Sequence, residues 1–311
     1  MTTPANAPPE PPVDAPAAAP AALSPTRPLY WSVRRELWEN RSIYVAPLVA
    51  AAVVLFGFLI SAITLPRRML ALSALDPAKQ RAAVTMPYNV AAGLIMVTAL
   101  IVGVFYCLDA LHGERRDRSI LFWKSLPVSD LTTVLSKASV PLVVLPMVAF
   151  PIILATHVVI LAVSTLVLLG SGPGLATLWT HVRPFQTALA VLYGMTVIAL
   201  WHAPIYGWLL LVSGWARRAT FLWAVLPPLA ICAFEGMAFS TTHFASWLRY
   251  RLIGWHTQAF VVHARDGVAH DPLAHLTPGR FLGTPGLWIG LAFAVVFLAA
   301  AVRVRRNRDP I

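Results

Sequence analysis

Few side chains in this 311-residue chain are of types that do chemistry, and they fall into a handful of groups. The run Glu114-Arg115-Arg116-Asp117-Arg118, followed by Phe122 and Trp123, sets charges of both signs beside aromatic surface. That mixture suits docking onto another protein, and equally a helix resting on a bilayer. Glu235, between Phe234 and Gly236, is a carboxylate near the end of an apolar run. At membrane depth it would cost on the order of 2–3 kcal/mol unless it faced protein or water, so Glu235 and Gly236 are candidates for a gate or pathway. His157 and His202 are the other polar groups inside apolar segments. For His202 a local hydrogen bond to carbonyls freed by Pro204 competes with a pathway role. Five of the nine histidines, His243, His256, His263, His270 and His275, share one stretch. The sevenfold spacing of the middle three would align them on a helix, yet two turns separate neighbours by about 10 Å, too far for direct ligands of one ion. No metal site is expected. Cys107 and Cys232 lie within apolar segments and form no CxxC pair. No Ser-His-Asp set, H-E-x-x-H helix, paired-carboxylate motif or glycine-rich dinucleotide turn stands out, so no catalytic residue is assigned.

The elements that must carry these residues follow from composition. With 58% hydrophobic residues, 12% charged and a mean hydropathy of +0.70, the chain is a membrane protein of the all-α class. Soluble enzymes, disulfide-bonded secreted scaffolds and transcription factors are excluded. Six membrane-spanning helices are expected at about 43–65, 88–111, 139–169, 185–213, 220–239 and 285–302. Pro141, Pro146 and Pro151 should kink or break the third. Residues 1–28 are almost entirely Pro and Ala and read as a disordered tail, retained because no cationic start marks a cleavable signal. Leu29–Ser42 places Leu29, Val33 and Leu37 on one stripe with Trp38 beside it, and Arg34, Arg35, Glu36 and Arg41 largely elsewhere, the pattern of an interfacial elbow helix.

The net charge of +11 sits in short loops beside apolar runs, which marks topology rather than nucleic-acid binding. With the N-terminus inside, fifteen Lys and Arg fall on the inner side and nine on the outer, so both termini are expected to be cytoplasmic. The loop 112–138 between spans two and three is the densest charge cluster. Gly113 should end span two, Ser129 should cap a further helix with Asp130 in its first turn, and a short cytoplasmic helix with a charged and an aromatic face should lie between. The outer loop, about 240–284, carries Trp247, Trp255 and Phe260 and should fold back toward the outer bilayer surface.

The layout resembles the type-2 ABC exporter permeases. The most specific likeness is Glu114-Arg115-Arg116-Asp117, then Ser119-Ile120-Leu121, then Ser125-Leu126-Pro127-Val128-Ser129, then Lys137, which is similar to that family's run from span two through its coupling region into span three. It covers roughly residues 29–308, closely over 109–137 and by layout elsewhere; the Pro/Ala tail has no counterpart. The resemblance implies the transmembrane permease subunit of an ATP-driven exporter in the bacterial inner membrane. Two copies of the chain would pair with two copies of a separate ATPase that binds ATP and Mg. It also implies that Glu114, Arg115, Arg116, Asp117, Arg118, Phe122 and Trp123 dock that ATPase, and that re-entrant segments after span five form the outer gate. Consistent with a separate motor, the sequence holds no G-x-x-x-x-G-K-[ST] phosphate loop, so no cofactor is expected on this chain itself and no enzymatic activity. An ion-driven secondary transporter and a membrane enzyme using the His-rich outer loop are the competing classes.

Overall fold

A computed structural model describes residues 26–72, 75–119, 128–170, 172–260 and 272–307. The chain is an all-α polytopic membrane protein with six helices long and apolar enough to cross a bilayer: α2 (Ser42–Ala62), α4 (Pro77–Ala110), α6 (Asp130–Leu168), α8 (Pro184–Trp215), α9 (Thr220–Phe239) and α13 (Pro285–Asn307). Shorter helices fill the ends: α1 (Thr26–Glu39) precedes the first span, α3 (Leu65–Leu72) follows it, α5 (His112–Arg116) extends α4, and α7 (Gly172–His181) follows α6. Between α9 and α13 lie α10 (His243–Ile253), α11 (Trp255–Ala259), a 3₁₀ turn at Pro272–His275 and α12 (Pro278–Leu282). Six crossings return the chain to the side on which it started, so α1, α5 and the C-terminal end of α13 share the terminal end of the bundle, and α3, α7 and α10–α12 share the far end.

Two spans are longer than their apolar stretches. Helix α4 begins eleven residues before the expected start at 88, because Pro77 presets the first helical residue and lacks the donor a first turn leaves unused anyway, while the Asp76 carbonyl accepts from the amides of Lys79 and Gln80. Hydropathy reads only the apolar part of such a helix. Helix α6 begins at Asp130, where Ser129 Oγ accepts from the Thr132 amide at 3.1 Å as expected of its cap. The expected break in this span is instead a single π-helical turn at Val140–Val144, beside Pro141, which absorbs the missing donor while the rod continues. Its 39 residues span about 58 Å, roughly twice a hydrocarbon core, so the charged first turns stand outside the membrane.

The core sits between α8 and its neighbours. Half of the most apolar stretch of α8 is buried, against 6% for α9, and α13 lies along α8 for much of its length. Gly207 eases that approach: a Cβ there would lie 3.2 Å from the Ala294 carbonyl oxygen, close enough that the neighbouring backbone would have to give way by a few tenths of an ångström. Ile95, Leu145, Ile153 and Leu210 make the centre of the main cluster, and a second cluster gathers around Trp201, Phe281 and Leu287 at the far end. Helix α9 stands at the edge with Leu222, Leu226, Leu229 and Phe234 exposed. Both reversals that isolate it pass through left-handed residues that are not glycine, Ala219 at φ 50° and Ser240 at φ 52°.

Candidate functional site

Where α1, α4, α5, α6 and α13 converge at the terminal end, six charged side chains and one tyrosine form a closed network. Glu36 Oε1 accepts from Lys137 Nζ at 2.9 Å and from Arg35 Nη2 at 2.8 Å, and its Oε2 accepts from Tyr106 Oη at 2.8 Å. Glu114 Oε1 takes Lys137 Nζ at 3.1 Å and Arg35 Nη2 at 3.2 Å, while Oε2 takes Arg305 Nη2 at 3.2 Å. Arg305 Nη1 closes onto Asp130. Three carboxylates thus meet three cations, and Arg35 Nε reaches a fourth carboxylate, the exposed Glu39, at 3.5 Å. The centre is dry: Glu36 is 1% exposed, Lys137 3% and Arg305 4%. Burial pushes the Glu36 carboxyl up, but Lys137, Arg35 and the Tyr106 hydroxyl together hold it below its usual value. A buried charge is tolerated only when paired and hydrogen-bonded, and here Glu36, Lys137, Glu114 and Arg305 each have partners on more than one helix.

The network fixes both ends of the loop that follows span two. On the upstream side Glu114 enters it directly, and Arg115, also buried, donates from Nη1 to the carbonyls of Gly214 (2.9 Å) and Ala216 (3.2 Å) at the end of α8. Ser213 Oγ accepts from the amides of Leu111 and His112, satisfying two donors exposed where α4 hands over to α5. The helix therefore turns at Leu111, and Gly113, expected to end the span, sits inside α5 against the Asp109 side chain. Downstream, Asp130 and Lys137 hold the start of α6.

Of the seven residues expected to dock a partner, two are therefore reassigned. Glu114 and Arg115 face inward and anchor the loop, because the ionic and carbonyl partners inside replace the water they give up. Arg116, Asp117 and Arg118 are exposed, Arg116 pairing with Asp117 at 3.0 Å and Asp109 at 3.5 Å. Phe122 and Trp123 lie outside the described residues, as do the remainder of the expected short helix beyond residue 119 and most of the Pro/Ala tail. Further exposed cations, Arg41, Arg217, Arg218, Arg303 and Arg306, belong to the same end of the bundle.

The membrane-embedded candidates have structural partners. Helix α9 continues through Glu235 and Gly236 to Phe239, so the reversal comes at Ser240 and not at Glu235-Gly236. Glu235 reaches forward instead: it accepts from Thr241 Oγ1 (2.8 Å) and from the amides of His243 (2.7 Å) and Phe244 (2.8 Å), capping α10 with a carboxylate at the positive end of its dipole. His157 Nε2 meets the Tyr88 carbonyl at 3.0 Å, and the two rings pack edge to face. His202 lies between the carbonyls of Ile198 (2.9 Å) and Leu252 (3.3 Å), pinning α8 to α10. The described part of the segment after α9, expected to fold toward the outer bilayer surface, packs on the bundle itself: Trp201 Nε1 donates to the Arg251 carbonyl, and the Arg251 guanidinium lies 4.8 Å over the Trp201 ring. Burial pushes that guanidinium below its usual value. His263 and His270 lie outside the described residues. Among the described residues no three His, Cys, Asp or Glu side chains converge on a point that could hold a metal ion.

The sequence reading missed Glu36, Lys137, Arg305, Tyr106 and Asp130 as one unit. A signal existed. Glu36, read as falling largely off the apolar stripe, lies three residues after Val33 and seven after Leu29 and so is in register with it; Lys137 follows the fully buried Val134 by three; Arg305 follows Ala301 by four. A charge in register with an apolar stripe must meet its opposite on a neighbouring helix. No protein-family model, curated protein or solved structure matches the chain.

Proposed function

We propose that this chain is the transmembrane permease subunit of an ATP-driven exporter, working as two copies beside two copies of a separate ATPase, with both termini in the cytoplasm of a bacterial inner membrane. The observation that carries this reading is the mounting of the loop after span two. Its exposed charges, Arg116 to Arg118, hang between two buried anchors, and those anchors connect at once to the elbow helix α1, to α4, to α6, to the end of α8 and to α13. A force applied at the loop would reach five elements through ion pairs too dry to slip singly, whereas a solvated loop would dissipate it. Closure of the motors would then tilt the bundle between inward and outward access. The exposed arginines at the terminal end supply a positive face for a partner with acidic rims. The poorly covered α9 leaves an apolar flank for the second copy. In this reading the chain performs no bond chemistry and binds neither ATP nor metal.

The test is photo-crosslinking in native membranes from position 117 or 118, both exposed. A captured protein that contains a phosphate loop, lost from position 117 when Arg116 and Arg118 are replaced together by glutamate, supports the assignment. Labelling of lipid alone from both positions overturns it and leaves the loop as a surface helix.

A further inference from the structure

A cavity of about 440 Å³ opens at the far end of the bundle, between α4 and α8 and beneath α11 and the Pro272–His275 turn. That volume lies within the range of about 300–1,000 Å³ typical of small-ligand sites. Its two long walls carry the same gradient. Along α4 one stripe runs from Arg81 through Thr85 and Asn89 to Gly93 and Met96; along α8 the facing stripe runs from Thr187 to Val191 and Gly194. Both pass from charged or hydroxyl side chains at the bundle end to small apolar ones in depth. From Arg81 to Met96 the climb is about 22 Å, most of one hydrocarbon core.

The mouth is basic. Arg81, His181, His256 and His275 line it, with no carboxylate among the described lining residues. His256 stacks on Phe260 at 5.8 Å, so that an aromatic wall stands behind the imidazole. The inner wall is open at the exposed Gly93, which has no atom within 4 Å of where a Cβ would stand, while beside Gly194 Phe260 and Met96 stand in ordinary contact at 3.7 and 3.9 Å. A second groove shares Arg81, Thr85 and Asn89 and continues over Met86 and Val90, which are exposed on the membrane-facing side of α4. The cavity therefore communicates sideways with the bilayer.

We propose that this cavity binds an anionic amphiphile drawn from the surrounding leaflet, its acidic headgroup among Arg81 and the imidazoles and its acyl chain between Gly93, Met96, Val191 and Gly194. A zwitterionic headgroup would bring a second cation against the basic mouth, and a soluble anion would leave the apolar depth unfilled. The site stands whether or not an ATPase drives the chain.

The experiment uses the full chain in a neutral detergent and native mass spectrometry with three probes: lysophosphatidylglycerol, lysophosphatidylcholine and glycerol 3-phosphate. Lysophosphatidylglycerol should be retained at least tenfold better than lysophosphatidylcholine, and glycerol 3-phosphate not at all. Arg81→Gln should reduce the headgroup preference at least fivefold. Gly93→Leu, whose side chain enters open space, should abolish retention with the monodisperse profile unchanged, and Ala190→Phe does the same from the opposite wall should Gly93→Leu fail to fold. Equal retention of the two lysolipids, retention that survives both filling variants, or glycerol 3-phosphate binding as well as the lysolipid would each overturn the proposal.

Discussion

Replacing Lys137 by methionine removes one charge from the centre of the network and keeps most of the side-chain volume. Its ammonium stands 2.9 Å from Glu36 and 3.1 Å from Glu114, and at an effective dielectric near 20 each attraction is worth about 5–6 kcal/mol. Against that gross gain stands the cost of keeping an ammonium dry, several kcal/mol, which the variant no longer bears. The variant leaves two buried carboxylates sharing Arg35 alone at their Oε1 edges, so the net loss should be about 3–5 kcal/mol. Glu36→Gln on its own strands Lys137 in a similar way. The double variant removes both charges and keeps the shapes, so its cost should fall below the sum of the singles by about 1–3 kcal/mol. Denaturant unfolding of the purified chain in detergent, followed through tryptophan fluorescence, measures all four proteins. A Lys137→Met cost under about 1 kcal/mol, or strictly additive costs, would refute the claim that these ions act as one buried unit.

Further predictions follow from the same contacts. Because the folded Glu36 carboxyl titrates below its usual value of 4.5, its stabilisation is fully present above that pH and is lost as the pH falls through the lower folded value; the chain should lose stability on acidification below about 4.5, and Glu36→Gln should flatten that limb of the pH profile. Glu235→Ala should release the start of α10, read as a severalfold loss of amide protection near Phe244 with little change in global unfolding. Gly290→Ala places a methyl where the Arg251 guanidinium lies, so it should expel that side chain from Trp201 and cost about 1–3 kcal/mol, whereas Gly57→Ala, in open space, should cost little or stabilise.

The sequence carried the membrane class and all six spans because an uncharged apolar run of bilayer length suits a helical crossing and little else, and the Ser129 cap was readable from local chemistry. Span ends were less legible. Pro77 and Lys79–Arg81 prolong α4 through backbone geometry rather than hydropathy, and a π turn lets α6 pass Pro141 unbroken. The charge cluster 114–118 was visible, but its division was not: composition cannot show that Glu114 and Arg115 turn inward while Arg116 to Arg118 turn out. That division depends on Glu36, Lys137, Arg305 and the α8 carbonyls, which are distant along the chain and meet only through the fold. Glu235 likewise reads as a lone membrane carboxylate until the α10 amides are placed against it.

The central claim is mechanical: the loop after span two receives work from another protein and the buried ion network passes it on. Its most direct test is to isolate the chain from its native membrane in mild detergent, determine the mass and composition of what co-purifies, and follow ATP hydrolysis and solute movement after reconstitution. The account predicts two copies of the chain with two copies of a phosphate-loop ATPase, and transport that stops in Lys137→Met while hydrolysis by the bound ATPase continues. A chain that purifies without such a partner and moves solute unaided across a vesicle membrane would contradict it.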